Sequence, residues 1–352
     1  MFLIPVEGKK TVQQRESQRE KLQQKWIELL GEFPRRIQDL EPEVKKISEA
    51  EGILWYHVSF RTELHDRVTA YLLIPDKAPA RCPALVCIHG TTGGSGKKRT
   101  VGMAGFQPDD PPDHPEQSRA YGLELAQRGY ITLSIDLYSD GERVPPGLAP
   151  YDTQEFYHRH PHWSIMGKNI WDVMRSLDFL ETLEQVNPLL IGCIGHSLGG
   201  HTTLFSAAFD RRIFASVCNG GILSWVRHTE HWTRSKEFSR QSSSPVASYV
   251  YIPRFRHYIQ DTTRPLPVDF DSLMILAAPR PLLVMGTEAE MKEHGIPDKF
   301  QKALKYYCML DAGDRFSIFS YPGEHGYPPV SKTFSYSWLD RWMKPILSEE
   351  GL

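Results

Sequence analysis

The sequence has no excess of charge of either sign. Its 41 lysines and arginines face 43 aspartates and glutamates in 352 residues, for a formal net charge of −2. Without an overall basic field, nucleic acid and anionic membrane surfaces lose their main attraction, and neither is expected as a partner. Cysteine is scarce as well. Cys82, Cys87, Cys193, Cys218 and Cys308 are odd in number and form no C-x-x-C pair, which argues against a disulfide framework and a cysteine-based zinc site. Cys87 and Cys193 fall in apolar runs and read as buried thiols acting as small hydrophobes. No stretch approaches the roughly 18 consecutive apolar residues of a spanning helix. The opening MFLIPVEGKK has an apolar start too short for a signal-peptide core and no small-residue cleavage site, so a cytoplasmic location is expected.

What is present is the composition of an ordinary globular chain, 40% hydrophobic and 24% charged. In TVQQRESQREKLQQKWIELLGEFP, Leu22, Trp26, Leu29 and Leu30 recur at helical spacing and Gly31 offers a stop. This amphipathic helix is expected to pack onto the body of the protein or onto a second copy, which leaves a homo-oligomer open. Two strands, GILWYHVSF and RVTAYLLIP, follow across a charged turn. PALVCIHG, YITLSIDL, IGCIGHS, FASVCNG, RPLLVMGT and RFSIFSYPG then read as buried strands. Between them lie the helical stretches PEQSRAYGLELAQRG, GKNIWDVMRSLDFLETL, GGHTTLFSAAF and DKFQKALKYYCML, and SKTFSYSWLDRWM closes the series. Short apolar strands alternating with helices predict an α/β fold, a mostly parallel central sheet covered on both faces. The expected organisation is an N-terminal helical extension over 1–50, a core of 51–222 and 272–352, and a partial cap inserted at 223–271, where long segments between core strands often serve binding.

One stretch concentrates chemistry. IGCIGHSLGGHTTLFSAA runs from an apolar strand straight into a small-residue helix, with Ser197 between Gly195 and Gly199. A tight structural turn would also use glycines, but G-x-S-x-G at a strand-to-helix junction is the setting that lifts a serine hydroxyl above a sheet. The first amides of the helix, Leu198 foremost, would then face a developing oxyanion. Serine is a weak nucleophile at neutral pH and needs an oriented base. His325, in the Gly- and Pro-rich loop after RFSIFSYPG, is the candidate. The acid that would orient it follows GT at the end of RPLLVMGT, where Glu290 is preferred and Glu288 is the alternative. Asp298 ranks third and reads as an N-cap for DKFQKAL. A second oxyanion donor is expected from the loop HGTTGG after PALVCIHG, the amide of Thr91 first and that of Thr92 second. The same loop fails the G-x-x-x-x-G-K-[ST] phosphate pattern because Lys98 follows Lys97.

These residues, with CIHGTTGGSGKKRTVGMAG, RGYITLSIDLYSDGE, APRPLLV and GEHGYPP, resemble the α/β-hydrolase superfamily and within it the dienelactone-hydrolase and acetyl-xylan-esterase-like bacterial esterases, over Arg67 to Met343. The resemblance implies the α/β-hydrolase fold, Ser197 as nucleophile, His325 as base and Glu290 at a position where relatives commonly carry aspartate. Ser197 argues against dienelactone hydrolysis itself, which uses cysteine. The expected activity is a serine carboxylic-ester hydrolase on a small-molecule ester, of short-chain, acetyl-like kind, acetylated carbohydrates among the candidates, with no cofactor and no metal. A prolyl-oligopeptidase-like peptidase, a thioesterase or acyltransferase, and a non-catalytic binding module are the alternatives. Trp225, His228, Trp232 and Tyr251 of the insertion are candidates to bind substrate or to form the cap's own core. His196 and His201 flank the serine and either could line the pocket, though His196 reads as a packing group more than a pocket group. Asp136 is expected to brace loops and Asp140 and Glu142 to cap or bridge. HRHPHW resembles a metal tract only superficially, since no cysteine or paired carboxylates lie near it.

Overall fold

A computed structural model describes residues 12–36, 39–103, 119–222, 251–255, 258 and 267–344. Its frame is one nine-stranded sheet. β1 (Glu43–Ala50), β2 (Ile53–Glu63) and β3 (Asp66–Pro75) form an antiparallel meander. β3 pairs antiparallel with β5 (Ile131–Ile135), and from there β4 (Cys82–Ile88), β6 (Val186–His196), β7 (Ile213–Asn219), β8 (Leu282–Thr287) and β9 (Phe316–Tyr321) continue in parallel. The order is β1-β2-β3-β5-β4-β6-β7-β8-β9. All eight strands expected from the sequence are present.

The central strands are apolar on both faces because both faces are covered. Ala84, Val86 and Ile88 of β4 point to one side, where they meet α1 (Val12–Leu30), α4 (Ile165–Leu180), α5 (Leu198–Phe209) and α6 (Phe270–Ala277). Leu85 and Cys87 alternate to the other side, against α2 (Tyr121–Gln127) and α9 (Pro329–Met343). α3 (Gln154–Arg159), α7 (Glu288–Glu293) and α8 (Ile296–Cys308) complete the α-helices of the described residues. Four cysteines are buried and Cys308 is exposed.

α1 belongs to this core. Trp26 and Leu30 are wholly buried, Trp26 meets Phe205 edge-on at 5.1 Å, and its Nε1 donates to Ser272 Oγ at 2.9 Å. Gly31 ends the helix at φ +90°, where a Cβ would lie 2.2 Å from the His162 carbonyl. Within the expected helical extension over 1–50, residues 43–50 are instead the edge strand β1. All eight of its residues are exposed, so EVKKISEA carries no apolar alternation and is held by its backbone pairing to β2. Of the expected cap, 223–250, 256–257 and 259–266 lie outside the described residues; α6 begins at Phe270 within its last two positions. Among the described residues no helix is long and apolar enough to cross a membrane.

Candidate active site

Ser197 sits between β6 and α5 with φ +57° and ψ −120°. A positive φ is unfavourable for a residue with a Cβ, by about 1–3 kcal/mol, and persists only where surroundings impose it. Here the Ser197 N–H donates to the Asn219 carbonyl of β7 at 2.8 Å, and the Ser197 carbonyl accepts the His201 N–H at 3.0 Å. The flanking glycines let α5 press onto the strands. A Cβ on Gly195 would lie 2.2 Å from the Gly199 carbonyl oxygen, and one on Gly199 would lie 1.9 Å from that of Ile88. The motif is thus a steric requirement at this junction. The N-terminus of α5, with Leu198 as its first residue, carries the positive end of the helix dipole beside the serine.

β8 ends at Thr287, whose hydroxyl accepts the Glu290 N–H at 3.1 Å while Glu290 Oε2 accepts the Thr287 N–H at 2.9 Å. This reciprocal cap fixes the glutamate side chain. Its other oxygen, Oε1, accepts from His325 Nδ1 at 2.5 Å. Burial alone would raise the Glu290 carboxyl, but the hydrogen bonds from His325 and Thr287 outweigh it and hold it at about 2. Glu288 is the exposed first residue of α7. Asp298 is no N-cap: α8 starts two residues before it, with Gly295 in the cap position, because Pro297 suits the first turn.

Sequence reasoning missed Asn219. Its backbone carbonyl holds Ser197, and its side-chain Nδ2 donates to the Gly326 carbonyl at 2.9 Å, next to His325. Nδ2 also lies 3.0 Å from His196 Nδ1, and Tyr321 donates its hydroxyl to Asn219 Oδ1 at 2.8 Å. One buried amide therefore joins the backbone of the serine to the loop of the histidine. The imidazole of His325 lies over Gly220, where a Cβ would come within 2.8 Å of its Cε1. The only sequence signal for Asn219 is a polar residue ending an apolar strand.

His196 is buried below His325, with ring centroids 4.7 Å apart. Burial first, then the neighbouring His325, Arg119 and Arg99, push its pKa well below the ordinary value, so the ring is neutral. His201 is also buried, against Phe270. For His196 this is the packing role read from the sequence.

The loop after β4 passes directly beside the serine. A Cβ on Gly90 would lie 3.2 Å from Ser197 Cβ and 3.1 Å from the His196 carbonyl. The Thr92 amide donates to the Tyr151 hydroxyl at 2.5 Å, which occupies the second-ranked oxyanion donor. Thr91 is exposed at the head of the loop. Tyr251 is 2% exposed within the main core cluster, and its carbonyl accepts from Met166. Trp225, His228 and Trp232 lie outside the described residues. No group of three His, Cys, Asp or Glu side chains is placed to hold a metal ion among the described residues.

A family model described as "Glucuronyl esterase, fungi" matches residues 151–309. The chain is 24% identical over 319 residues to "Putative hydrolase YtaP" of Bacillus subtilis, covering 90% of this chain and 96% of that one. It is 29% identical over 203 residues to "Carbohydrate esterase MZ0003" from an unknown prokaryotic organism, covering 56% of this chain and 44% of that one. Among solved structures, one described as a "putative acetyl xylan esterase" from Bacteroides fragilis superposes with a TM-score of 0.67 at 20% identity, over 93% of this chain and 83% of that one. The fold shared with that structure is the α/β-hydrolase fold.

Proposed function

We propose that this α/β-hydrolase, a serine hydrolase related to the carbohydrate esterases, cleaves short-chain carboxylic esters carried by sugars through an acyl-enzyme intermediate. The observation that carries the reading is the strained Ser197 at the head of α5, tied through Asn219 to the loop of a histidine that is itself bonded to a partly buried glutamate. In this reading Ser197 Oγ attacks the ester carbonyl while His325 takes its proton at Nε2. The His325 Nδ1–H stays on Glu290, which holds the tautomer and stabilises the imidazolium. The amides of Leu198 and Thr91 receive the oxyanion. Collapse of the tetrahedral species expels the alcohol, which leaves with the His325 proton. A water then donates a proton to His325 and attacks the acyl-enzyme, releasing the acid and restoring Ser197.

The names of the relatives support a sugar on one side of the ester. Two arrangements fit: an acetyl group on a sugar hydroxyl, or a glucuronyl acyl group, which the match over 151–309 favours. Hydrolysis of p-nitrophenyl esters from acetyl to octanoyl, of acetylated xylo-oligosaccharides and of an alkyl ester of glucuronic acid tests the reading, with Ser197→Ala alongside. Activity on the acetyl or glucuronate ester, lost by about 10³-fold or more in Ser197→Ala, is expected. Equal rates in the two proteins, or no turnover of any ester, would overturn it.

A further inference from the structure

The loop after β4 is folded around a carboxylate. Asp140 is wholly buried, and no lysine or arginine reaches it among the described residues. Its charge is held by neutral donors: the N–H groups of Gly94 and Gly141, both at 2.8 Å from Oδ1, and the hydroxyls of Thr92 and Tyr151, both on Oδ2. His89 lies 3.6 Å away, where its Nε2 accepts the Leu137 N–H and its Nδ1 faces the Gly90 carbonyl. The Tyr151 hydroxyl accepts the Thr92 N–H at 2.5 Å as it donates to Asp140, and Thr92 Oγ1 accepts the Gly96 N–H at 2.7 Å as it donates to the same carboxylate. Burial, and then the charge of Asp140, raise the Tyr151 pKa well above the ordinary value, so the phenol keeps the proton that it donates.

The consequence falls on the peptide between Gly90 and Thr92. Gly90 is pressed against His196 and Ser197, and Thr92 is fixed through both its N–H and its hydroxyl. Thr91 therefore hangs between two anchored residues, with its own amide uncommitted among the described residues. An oxyanion donor contributes only if it already points where charge will develop, since turning it during the reaction would cancel the gain. A neighbouring carboxylate shows what plain bracing looks like: Asp136 is held by Lys97 Nζ, the Thr69 hydroxyl and backbone amides, none of them from residues 90–94.

We infer that Asp140 and Tyr151 are positioning residues of the active site, which aim the Thr91 N–H at the substrate carbonyl by clamping Thr92. The inference rests on the esterase reading above and deepens it. The residues do not touch substrate, so their removal is expected to act on the transition state and leave ground-state binding alone.

The test compares Tyr151→Phe, Thr92→Val and Thr92→Ser with the wild type on p-nitrophenyl acetate. It also measures inhibition by a trifluoromethyl ketone, whose adduct with Ser197 carries an oxyanion, and follows thermal unfolding. Tyr151→Phe and Thr92→Val are expected to lower kcat about tenfold or more with KM changed by less than about twofold, and to weaken the ketone by the same factor as kcat. Thr92→Ser keeps the hydroxyl and is expected to stay near wild type. Unchanged kcat and ketone affinity in Tyr151→Phe and Thr92→Val, whatever happens to the melting temperature, would overturn the inference. Ser197→Ala, run in parallel, separates the two claims. If it stays active, the esterase reading fails; if it is inactive while Tyr151→Phe is unimpaired, only the clamp fails.

Discussion

Glu290 accepts from two donors that approach from different elements, the Thr287 N–H beneath it and the His325 imidazole above it. A glutamine there can satisfy Thr287 with its oxygen, but its NH₂ then meets the Nδ1–H of His325, donor against donor. The imidazole would have to change tautomer, presenting N–H in place of a lone pair to Ser197. Glu290→Gln is therefore expected to lower kcat by about 10³-fold while KM changes little, read in steady-state kinetics. The same side chain sets a pH dependence of stability. Its folded pKa of about 2 lies below the ordinary value of 4.5, so the contribution is complete above about pH 4.5 and disappears as pH falls through 2. Melting curves of wild type and Glu290→Gln should differ most above pH 4.5 and draw together toward pH 2; a separation independent of pH would contradict this account.

At the scale of the element, the junction of β6 and α5 is where local sequence and tertiary contact coincide. Gly199→Ala would drive a methyl group into the Ile88 backbone, which cannot swing away as a side-chain tip could. The variant is expected to lose about 3 kcal/mol or more together with the proposed esterase activity, checked by denaturant unfolding and turnover. That coincidence is why the serine was legible from the chain: its constraint lies within five residues and leaves a pattern. His325 and Glu290 were legible through chain order, each following a strand with clear apolar content, and Glu290 was preferred because Glu288 lies too close to the end of its strand. Asn219, Asp140 and Tyr151 act on partners distant in sequence, among them the Gly326 carbonyl, the Gly94 N–H and the Thr92 N–H, backbone groups that impose no residue type, and so leave no local motif. β1 was invisible for another reason: EVKKISEA is exposed throughout, and its strand character comes from hydrogen bonds to β2.

For the whole molecule, the N-terminal helix is an internal part of the core. Trp26 is wholly buried against Phe205 and Phe255 and hydrogen-bonded to Ser272, all in its own chain, and Arg19 donates to the Ile275, Leu276 and Ala278 carbonyls at the end of α6. Trp26→Ala is expected to lower stability by about 3–5 kcal/mol in guanidinium unfolding, with the sedimentation coefficient of the folded protein unchanged. A shift in that coefficient would mean that the helix also serves a second copy. The sheet itself is firm in its middle and soft at one margin. β1 has a strand on one side only and buries none of its side chains, while Ser197 follows the sixth strand in the order, five strand spacings or about 24 Å away. Fraying there gives up backbone hydrogen bonds and little else. Amide protons of residues 43–50 should exchange with solvent early, and the enzyme can ravel at this hem while the loom that holds the serine stays taut.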